Sequence, residues 1–387
     1  MSTKELLIYK NLSLHYRYLG YDGSFYLDEK SAKNLFFKNK TKPELKNKTK
    51  YSEIELELKR LALKEKKPVI KAIDNASLTI FKNESVGIIG ETGSGKSTLL
   101  LSVFNFPNDN LVTRTGEIFY FDDEKGDYVE LLNLEENKIN HYRGFHFGLI
   151  PQLPRESLNP WIKVGFQSGE ILQERRNWKE NKIRERVIEI LGKTALPDPK
   201  TKFKKFANQL STGEAQKVCI ALALIANPKI LFADELLSSL DTISQSQIID
   251  LLNTLKKDIG INFITATHNI GAAGLLSERI VVIYGGECIE MQEKENFFKE
   301  PLHPYSKLLM ESNPWYASKK GIRLAEIPGE LPKASNWPSG CKFHPRCPKA
   351  TVICKTAKPP RIEIGTGYVE CFLYLDDGKS KEENFNH

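Results

Sequence analysis

The eight residues from 90 to 97 constrain the fold of this chain more than any other stretch. They match every position of the pattern G-x-x-x-x-G-K-[ST] and are, in order, Gly90, Glu91, Thr92, Gly93, Ser94, Gly95, Lys96 and Ser97. In this pattern the glycines let successive backbone N–H groups point at an anion, and the lysine adds a charge for the terminal phosphates. Residues 85–89 are typical of a buried strand and residues 97–101 of a helix start, which would place the phosphates at a helix N-terminus. The stretch predicts a phosphate-binding α/β domain with Ser97 as a Mg²⁺ ligand, and a chance Gly/Ser turn is the alternative.

Composition indicates where such a domain works. The 387 residues leave room for roughly two or three domains, and 40% hydrophobic with 27% charged residues is typical of a soluble globular protein. Because there is no run of 18 or more apolar residues and no secretory signal at the first residues, we expect a cytoplasmic protein. The net charge of +7 is a small excess of 56 basic over 49 acidic residues, so it does not by itself indicate a nucleic-acid partner.

The N-terminal part combines strand patterns with a polar insertion. Residues 4–19 are typical of strands at an antiparallel edge, in which Tyr16 or Tyr18 is a candidate for stacking on an adenine ring or, alternatively, packs on the sheet. Residues 20–67 shift to Lys, Asn and Glu, which indicates a partly disordered insertion with one charged helix. We interpret its lysines as solvated surface, with RNA or lipid headgroups as the alternative contact. Residues 68–80 predict a strand pair that leads into the phosphate loop.

Polar side chains stand where several predicted buried strands end. Gln152, the adjacent carboxylates of Asp234 and Glu235, and His268 each follow an apolar run. Open α/β sheets bind ligands at the carboxyl ends of their strands, so these residues are expected near the phosphates. Asp234 suits a role toward Mg²⁺ and Glu235 the activation of a water, whereas a helix N-cap is the structural alternative for the two acids. His268 is a candidate sensor of the γ-phosphate, although a lone histidine is more often structural.

A helical subdomain and a second anion site are predicted between these strands. Residues 157–208 are rich in helix formers and end at residues 209–217, a turn with Ser211 and Gly213 that opens an apolar helix at 218–226. Two separate phosphate-binding loops in one chain indicate a more specific protein than a generic nucleotide-binding domain.

These elements in this order resemble the nucleotide-binding subunit of ABC transporters, over nearly the whole chain outside residues 20–67. The resemblance implies ATP and Mg²⁺ as cofactors, with Ser97, Gln152 and Asp234 toward Mg²⁺. It also implies that residues 90–97 are Walker A, with Thr98 beside it, and that Gln152 is the Q-loop glutamine. Residues 210–214, with Ser211 and Gly213, would be the signature, and residues 230–234 Walker B. Glu235 would be the catalytic base, residues 239–241 with Asp241 the D-loop, and His268 the switch histidine.

Flanking segments are similar to the oligopeptide/dipeptide (nickel) importer branch of that family. They are S-L-N-P at 157–160, H-P-Y at 303–305, I-P-G at 327–329 and P-S-G-C-K-F-H-P-R-C-P at 338–348. The resemblance implies an α/β phosphate-loop NTPase (RecA-like) core with an antiparallel β subdomain, an inserted α-helical subdomain and a small Cys-rich C-terminal domain. We expect a nucleotide-binding domain at 1–298 and the C-terminal domain at 299–387.

Three positions depart from the family pattern. Thr212 replaces the first glycine of L-S-G-G, and a β-branched residue costs on the order of 1 kcal/mol where φ must be positive. Because the signature of one subunit faces the ATP held by its partner, this substitution is expected to affect the partner's site. Leu236-Leu237 replaces Pro-Thr after Glu235, with a small expected effect because the acid is retained. Asn269 replaces the Asp beside His268 and leaves His268 itself unchanged.

Six cysteines divide into two groups. Cys219, on the predicted apolar helix, and Cys288, in a predicted strand, are expected in the core. The other four have the spacing C-x5-C-x6-C-x16-C and are Cys341, Cys347, Cys354 and Cys371. Disulfides are not expected in a reducing cytoplasm, and four thiolates suit either zinc or an iron–sulfur cluster. Spacing does not choose between them, whereas similarity to the peptide importers favours a structural [4Fe–4S] cluster over zinc or no metal.

The resemblance as a whole implies the ATP-hydrolysing subunit of an importer of oligopeptides or dipeptides, at the cytoplasmic face of the cell (inner) membrane. Its partners would be a second, related ATPase, two transmembrane permease subunits and an extracellular or periplasmic peptide-binding protein, without nucleic acid. The alternatives are a soluble ABC ATPase that acts on nucleic acid or ribosomes, and a regulatory subunit that does not hydrolyse ATP.

Overall fold

The computed structural model of the chain describes residues 4–17, 69–321 and 323–375. The predicted insertion at 20–67 and the candidate Tyr18 lie outside these ranges. The strands are β1 (Glu5–Arg17), β2 (Val69–Phe81), β3 (Val86–Ile89), β4 (Leu111–Asp122), β5 (Asp127–Glu130), β6 (Phe147–Ile150), β7 (Ile230–Asp234), β8 (Asn262–Thr267), β9 (Arg279–Tyr284), β10 (Glu287–Glu293), β11 (Arg361–Ile364) and β12 (Gly367–Glu370). The α-helices are α1 (Lys96–Ser102), α2 (Glu136–Phe145), α3 (Pro154–Ser157), α4 (Val164–Arg176), α5 (Glu180–Lys193), α6 (Pro199–Phe203), α7 (Thr212–Leu224), α8 (Thr242–Ile259), α9 (Ile270–Leu276), α10 (Lys294–Lys299), α11 (Pro304–Glu311), α12 (Pro314–Lys320) and α13 (Val352–Thr356).

A mixed sheet with the strand order β11-β12-β10-β9-β3-β8-β7-β6 forms the centre of the described structure. The strands from β9 to β6 run parallel, and those from β10 to β11 are antiparallel. Every residue of β3, β7 and β8 is buried, as expected for parallel strands that are covered on both faces. The predicted α/β core is confirmed, and the carboxyl ends of these strands meet at one edge.

A second, antiparallel sheet has the order β2-β1-β4-β5. β1 lies between β2 and β4, so its prediction as an edge was wrong: both sides of this strand are hydrogen-bonded. Leu99 and Leu100 of α1 share one hydrophobic core with Leu7 of β1 and Ile264 of β8. Helix α1 therefore lies between the two sheets and holds the phosphate loop against both.

Two element boundaries also differ from prediction. Residues 69–81 form one strand and not a pair, because Asn75 takes a left-handed conformation (φ 59°) and its N–H donates to the Ser13 hydroxyl of β1 (2.9 Å), which keeps the strand paired. Helix α7 begins at Thr212 and not at 218, because Ser211 and Glu214 bond reciprocally as a capping box.

The C-terminal residues extend the main sheet. β12 pairs with β10, with Val369 opposite Glu290, and Phe343 and Tyr305 share a hydrophobic cluster with Ile89 of β3. The described part of the predicted 299–387 domain thus shares its core with the predicted 1–298 domain. Within the ranges that the model describes, no helix has the length and apolar character needed to cross a membrane.

Candidate nucleotide-binding site

The phosphate loop connects β3 to α1 and depends on glycine where it enters the helix. Gly95 has a φ of +107°, and a Cβ at this position would lie 2.5 Å from the carbonyl oxygen of Ala72. Ala72 belongs to β2, so the antiparallel sheet approaches the loop closely at this point. Both the backbone conformation and the lack of space require glycine here.

Lys96 is buried at the start of α1 and directed back over the loop. Its Nζ donates to the carbonyl oxygens of Gly90 (2.9 Å) and Glu91 (3.0 Å) and lies 3.7 Å from Oε1 of Glu235. Burial lowers the pKa of Lys96, and the nearby carboxylates of Glu235 and Asp234 oppose that shift. The ammonium is therefore held where a phosphate could replace the two carbonyl oxygens as its partner.

Ser97 and Asp234 meet at the start of α1 and the end of β7. The Ser97 hydroxyl donates to Oδ1 of Asp234 at 2.8 Å, and burial raises the pKa of that carboxyl to about 6 although the Ser97 hydrogen bond lowers it. A hydroxyl and a carboxylate are the oxygen ligands that Mg²⁺ prefers. In the same loop, the buried Ser94 hydroxyl has no hydrogen-bond partner among the described residues, and a phosphate oxygen would supply one. The residues present fit a bound MgATP.

Glu235 follows β7 in an unusual conformation. Its φ is +45°, which is uncommon for a bulky residue and frequent at functional sites. Its Oε2 lies 2.8 Å from Nδ1 of His268, which follows β8, while Oε1 faces Lys96. The structure thus brings together Lys96, Ser97, Asp234, Glu235 and His268 at one edge of the sheet.

Gln152 and Asp241 belong to the connections that follow β6 and β7, respectively. Gln152 is exposed and follows β6, whose Ile150 is paired with Ala233 immediately before Asp234. Asp241 caps α8, because its Oδ1 accepts the N–H groups of residues 243 and 244. The hydrogen bond from the Ser244 hydroxyl lowers the pKa of Asp241, and the bonds from the backbone N–H groups act in the same direction.

The signature residues form the N-terminus of α7. The Ser211 hydroxyl accepts the N–H of Glu214 (3.2 Å), and the Glu214 carboxylate accepts the N–H of Ser211 (3.0 Å) and pairs with Lys202. Thr212 is the first helical residue and is not among the described residues with positive φ, and neither is Gly213. The strain expected at Thr212 is therefore absent, since a helical φ suits a β-branched residue.

Tyr16 and Thr98 complete the predicted set. Tyr16 is 9% exposed in the core of the antiparallel sheet, and burial raises its pKa to about 12. Its burial favours packing on the sheet over stacking on an adenine ring. The adenine contact stays a prediction. Thr98 is half-buried in the first turn of α1, next to Ser97.

Sequence reasoning missed two residues at the phosphate loop. The Arg346 guanidinium bonds the Glu91 carboxylate, and the Tyr305 hydroxyl accepts the Glu91 N–H. Both belong to segments that the sequence singled out, H-P-Y and P-R-C-P, but more than 200 positions separate them from Glu91. No local pattern could have shown these contacts.

A separate cavity of about 130 Å³ is lined by all four C-terminal cysteines together with His344 and Phe372. Burial raises the pKa of Cys341 to about 12 and that of Cys371 to about 11, and repulsion between the cysteines acts in the same direction. A bound cation would favour the thiolate form of these cysteines, because metal ligands must be deprotonated. Cys219 and Cys288 are buried core residues, as predicted.

The spacing of the cysteine sulfurs bears on which group the cavity fits. Among the described residues, three or more potential ligand atoms within 4.8 Å of one another occur at Glu124, His141 and His146, and the cysteines form no such group. A tetrahedral zinc with Zn–S bonds of about 2.3 Å would bring its sulfurs to about 3.8 Å from one another. The four sulfurs, as described, therefore do not have the spacing of a bound zinc ion.

Comparison with known proteins agrees with this geometry. The family model described as ABC transporter matches residues 73–238, and the model described as oligopeptide/dipeptide transporter, C-terminal region, matches residues 289–354. The chain is 35% identical to a dipeptide transport ATP-binding protein, DppD, of Haemophilus influenzae, over 83% of this chain and 96% of that protein. It is also 35% identical to the oligopeptide transport ATP-binding protein AppD of Bacillus subtilis, over 81% of this chain and 94% of the relative.

Solved structures show the same fold. A dimeric structure of MJ0796, a bacterial ABC transporter cassette, superposes with a TM-score of 0.55 at 23% identity and covers 75% of this chain and 99% of that one. A dimeric post-hydrolysis state of the same cassette with bound ADP and Pi gives a TM-score of 0.53 at 24% identity, with the same coverage.

Proposed function

This chain belongs to the ATP-binding proteins of ABC transporters that carry the oligopeptide/dipeptide C-terminal region, and from that premise we propose that it powers the import of short peptides through partner permease subunits. As a member of that family it is an ATPase. The observation that carries the proposal is the meeting of Lys96, Asp234 and Glu235 at one sheet edge, in a chain whose curated relatives are named for peptide transport.

In the proposed reaction, water attacks the γ-phosphate of ATP in line with the leaving ADP. Lys96 binds the terminal phosphates and offsets their charge, while Glu235 orients the water and accepts its proton. His268, now bonded to the same carboxylate, holds Glu235 in place and contacts the γ-phosphate. Mg²⁺, when bound, neutralises phosphate charge, and Ser97, Asp234 and Gln152 would hold it.

We propose that two ATPases form the working dimer, with the signature of each facing the phosphate loop of the other. The partner would be a related but different chain, because Thr212 gives this signature a side chain where the family has glycine. Because Thr212 has a helical φ, backbone strain does not explain why threonine would impair the signature. The expected effect is steric, since the threonine side chain limits the approach of the partner's ATP. Thr212→Gly should raise turnover at the partner's site, and unchanged turnover would count against the asymmetric pair.

We propose that the cysteine cavity holds a structural [4Fe–4S] cluster bound by Cys341, Cys347, Cys354 and Cys371. What supports a shared bound group is that all four cysteines line one cavity of about 130 Å³, and similarity to the peptide importers favours a cluster over zinc. When bound, the group would supply the cations that the buried thiolates need and would crosslink the C-terminal segment.

The test is ATP hydrolysis by the assembled membrane complex with Glu235→Gln in this chain alone. Loss of the proton acceptor should lower turnover by about 10²-fold or more, because a positioned base contributes that much. Glu185→Gln, at an exposed position of α5, is the matched control and should leave turnover unchanged. Substantial residual turnover would mean that the partner's site supports hydrolysis.

Substrate class and partners need a second readout. Uptake of a labelled dipeptide or oligopeptide by cells should stop with Glu235→Gln, and the chain should co-purify with permease subunits. Co-purification with nucleic acid and no effect on peptide uptake would instead support the soluble ATPase.

A further inference from the structure

Two residues of the C-terminal region hold the phosphate loop by its second residue. We propose that Arg346 and Tyr305 are positioning residues of the ATP site and act through Glu91. The inference rests on the proposed function, since it concerns how the same loop is kept ready for ATP.

Arg346 clamps the side chain of Glu91 in a bidentate ion pair. Its two terminal nitrogens lie 2.7 and 2.9 Å from the two carboxylate oxygens, the geometry that gives the strongest charge-assisted hydrogen bonds. The guanidinium also donates to the carbonyl oxygens of Pro328 (2.8 Å) and Gly329 (3.2 Å). Because Arg346 is 6% exposed and bonded along its whole edge, it has one orientation available.

Tyr305 holds the backbone of the same residue. The Glu91 N–H donates to the Tyr305 hydroxyl at 2.8 Å. The Tyr305 ring is fully buried, with ring centroids 4.7 Å from that of Tyr284 and 5.3 Å from that of Phe343. Glu91 is thus fixed at both its side chain and its N–H by residues of the C-terminal region.

The backbone carbonyl group of Glu91 faces Lys96. Its carbonyl oxygen accepts a hydrogen bond from Nζ of Lys96 at 3.0 Å, beside the bond to the Gly90 carbonyl. On the far side of the loop, a Cβ at Gly93 would lie 3.4 Å from a methyl carbon of Leu331, so the same C-terminal segment covers the loop. A shift of Glu91 would move both the loop backbone and the acceptor of the Lys96 ammonium.

The contacts also account for segments that the hydrolytic mechanism does not use. H-P-Y, I-P-G and P-R-C-P, which the sequence singled out, supply Tyr305, the Pro328 carbonyl and Arg346 respectively. Tyr305 and Arg346 bond Glu91 directly, and the Pro328 carbonyl bonds Arg346. A salt bridge that only docks the C-terminal region would affect stability alone, whereas a positioning role requires an effect on nucleotide binding in the folded protein.

The experiment measures binding of a fluorescent ATP analogue with Mg²⁺ to the full chain, and the KM and kcat for ATP. If Arg346→Gln leaves the loop competent in about a tenth of the molecules, the Kd for nucleotide rises about tenfold. We expect the KM to rise by a similar factor and kcat to change less, because saturating ATP restores the loop. Hydrogen exchange of the 90–97 amides should become faster in the variant. Arg361→Gln is the matched control, since Arg361 pairs with Glu370 and the Ser77 carbonyl in the same region.

The pairing itself is tested by Glu91→Gln combined with Arg346→Gln. If Arg346 acts through Glu91, the double variant binds nucleotide about as weakly as the weaker single variant, whereas multiplied losses overturn the inference. A Kd for Arg346→Gln within twofold of wild type, or an equal loss in Arg361→Gln, also overturns it. If Arg346→Gln does not fold, Tyr305→Phe carries the test with an expected loss of about threefold or more, and unchanged affinity overturns the proposal. A wild-type chain that did not bind ATP would instead refute the proposed function.

Discussion

The buried carboxylate of Asp234 predicts a stability gain from a substitution at a residue that the proposed mechanism uses to hold Mg²⁺. Burial raises the pKa of Asp234 from 3.8 to about 6 when no cation is bound, with the Ser97 hydrogen bond opposing and the Glu235 charge adding to the shift. A folded-state pKa above the unfolded value means that ionisation favours the unfolded chain. The contribution of Asp234 to the free energy of unfolding is fully present below pH 3.8. It is lost as the pH rises from 3.8 to about 6 and stays lost above pH 6. Two pH units at 1.36 kcal/mol each correspond to about 3 kcal/mol at pH 7.5 and to about half of that at pH 5.

Asp234→Asn avoids this cost and keeps an oxygen that can accept the Ser97 hydrogen bond. Urea denaturation of the nucleotide-free chain, in the presence of a chelator, should show the variant more stable by about 3 kcal/mol at pH 7.5 and by about half as much at pH 5. Asp241→Asn is the control, because Asn caps a helix as well as Asp and that carboxylate is exposed, so no gain is expected. A variant no more stable than wild type at pH 7.5, or a gain equal at both pH values, would refute the reasoning.

Three further predictions concern other parts of the site. Gly95→Ala should weaken ATP-analogue binding and destabilise the chain by more than about 1 kcal/mol, because its Cβ would lie 2.5 Å from a carbonyl oxygen. Gly126→Ala is the control: Gly126 also has a positive φ but has open space around it, so this variant measures the cost of the backbone conformation alone. His268→Ala should lower the rate of single-turnover hydrolysis by about 10²-fold with little change in nucleotide affinity. A loss below about threefold would show that the contact between His268 and Glu235 is not needed for hydrolysis. Cys347→Ser should remove iron and visible absorbance from anaerobically purified protein, whereas Cys219→Ser should not; equal iron in both variants, or zinc in wild type, would count against the cluster.

Much of the fold was predictable because its signals are local. Parallel strands that are buried on both faces produce continuous apolar runs, so the apolar runs before Gln152, Asp234 and His268 could be recognised as β6, β7 and β8. The phosphate loop is equally local, since eight consecutive residues specify its shape. The start of α7 was also within reach, because Ser211 and Glu214 have the spacing of a capping box.

Pairings between distant residues were not predictable. β1 lies inside its sheet because residues about a hundred positions away pair with it, and its own alternation would be the same at an edge. The bond from Arg346 to Glu91 spans 255 positions and depends on how the C-terminal segment crosses the main sheet. Thr212 illustrates the opposite error: a family pattern suggested positive φ, whereas the local capping box makes the position helical.

Three energetically unfavourable features of the described structure lie together at the site. Glu235 has a positive φ, a conformation that costs of order 1 kcal/mol or more, and next to it Asp234 buries a carboxylate and Lys96 an ammonium. Bound MgATP supplies the opposite charges, and a ligand at about 100 times its Kd stabilises the folded state by about 2.7 kcal/mol. That gain is close to the cost of the Asp234 carboxylate alone, so nucleotide at this concentration offsets about that part of the instability. Asp234 and Lys96, which the proposed mechanism uses to bind MgATP, are therefore also residues that make the nucleotide-free chain less stable.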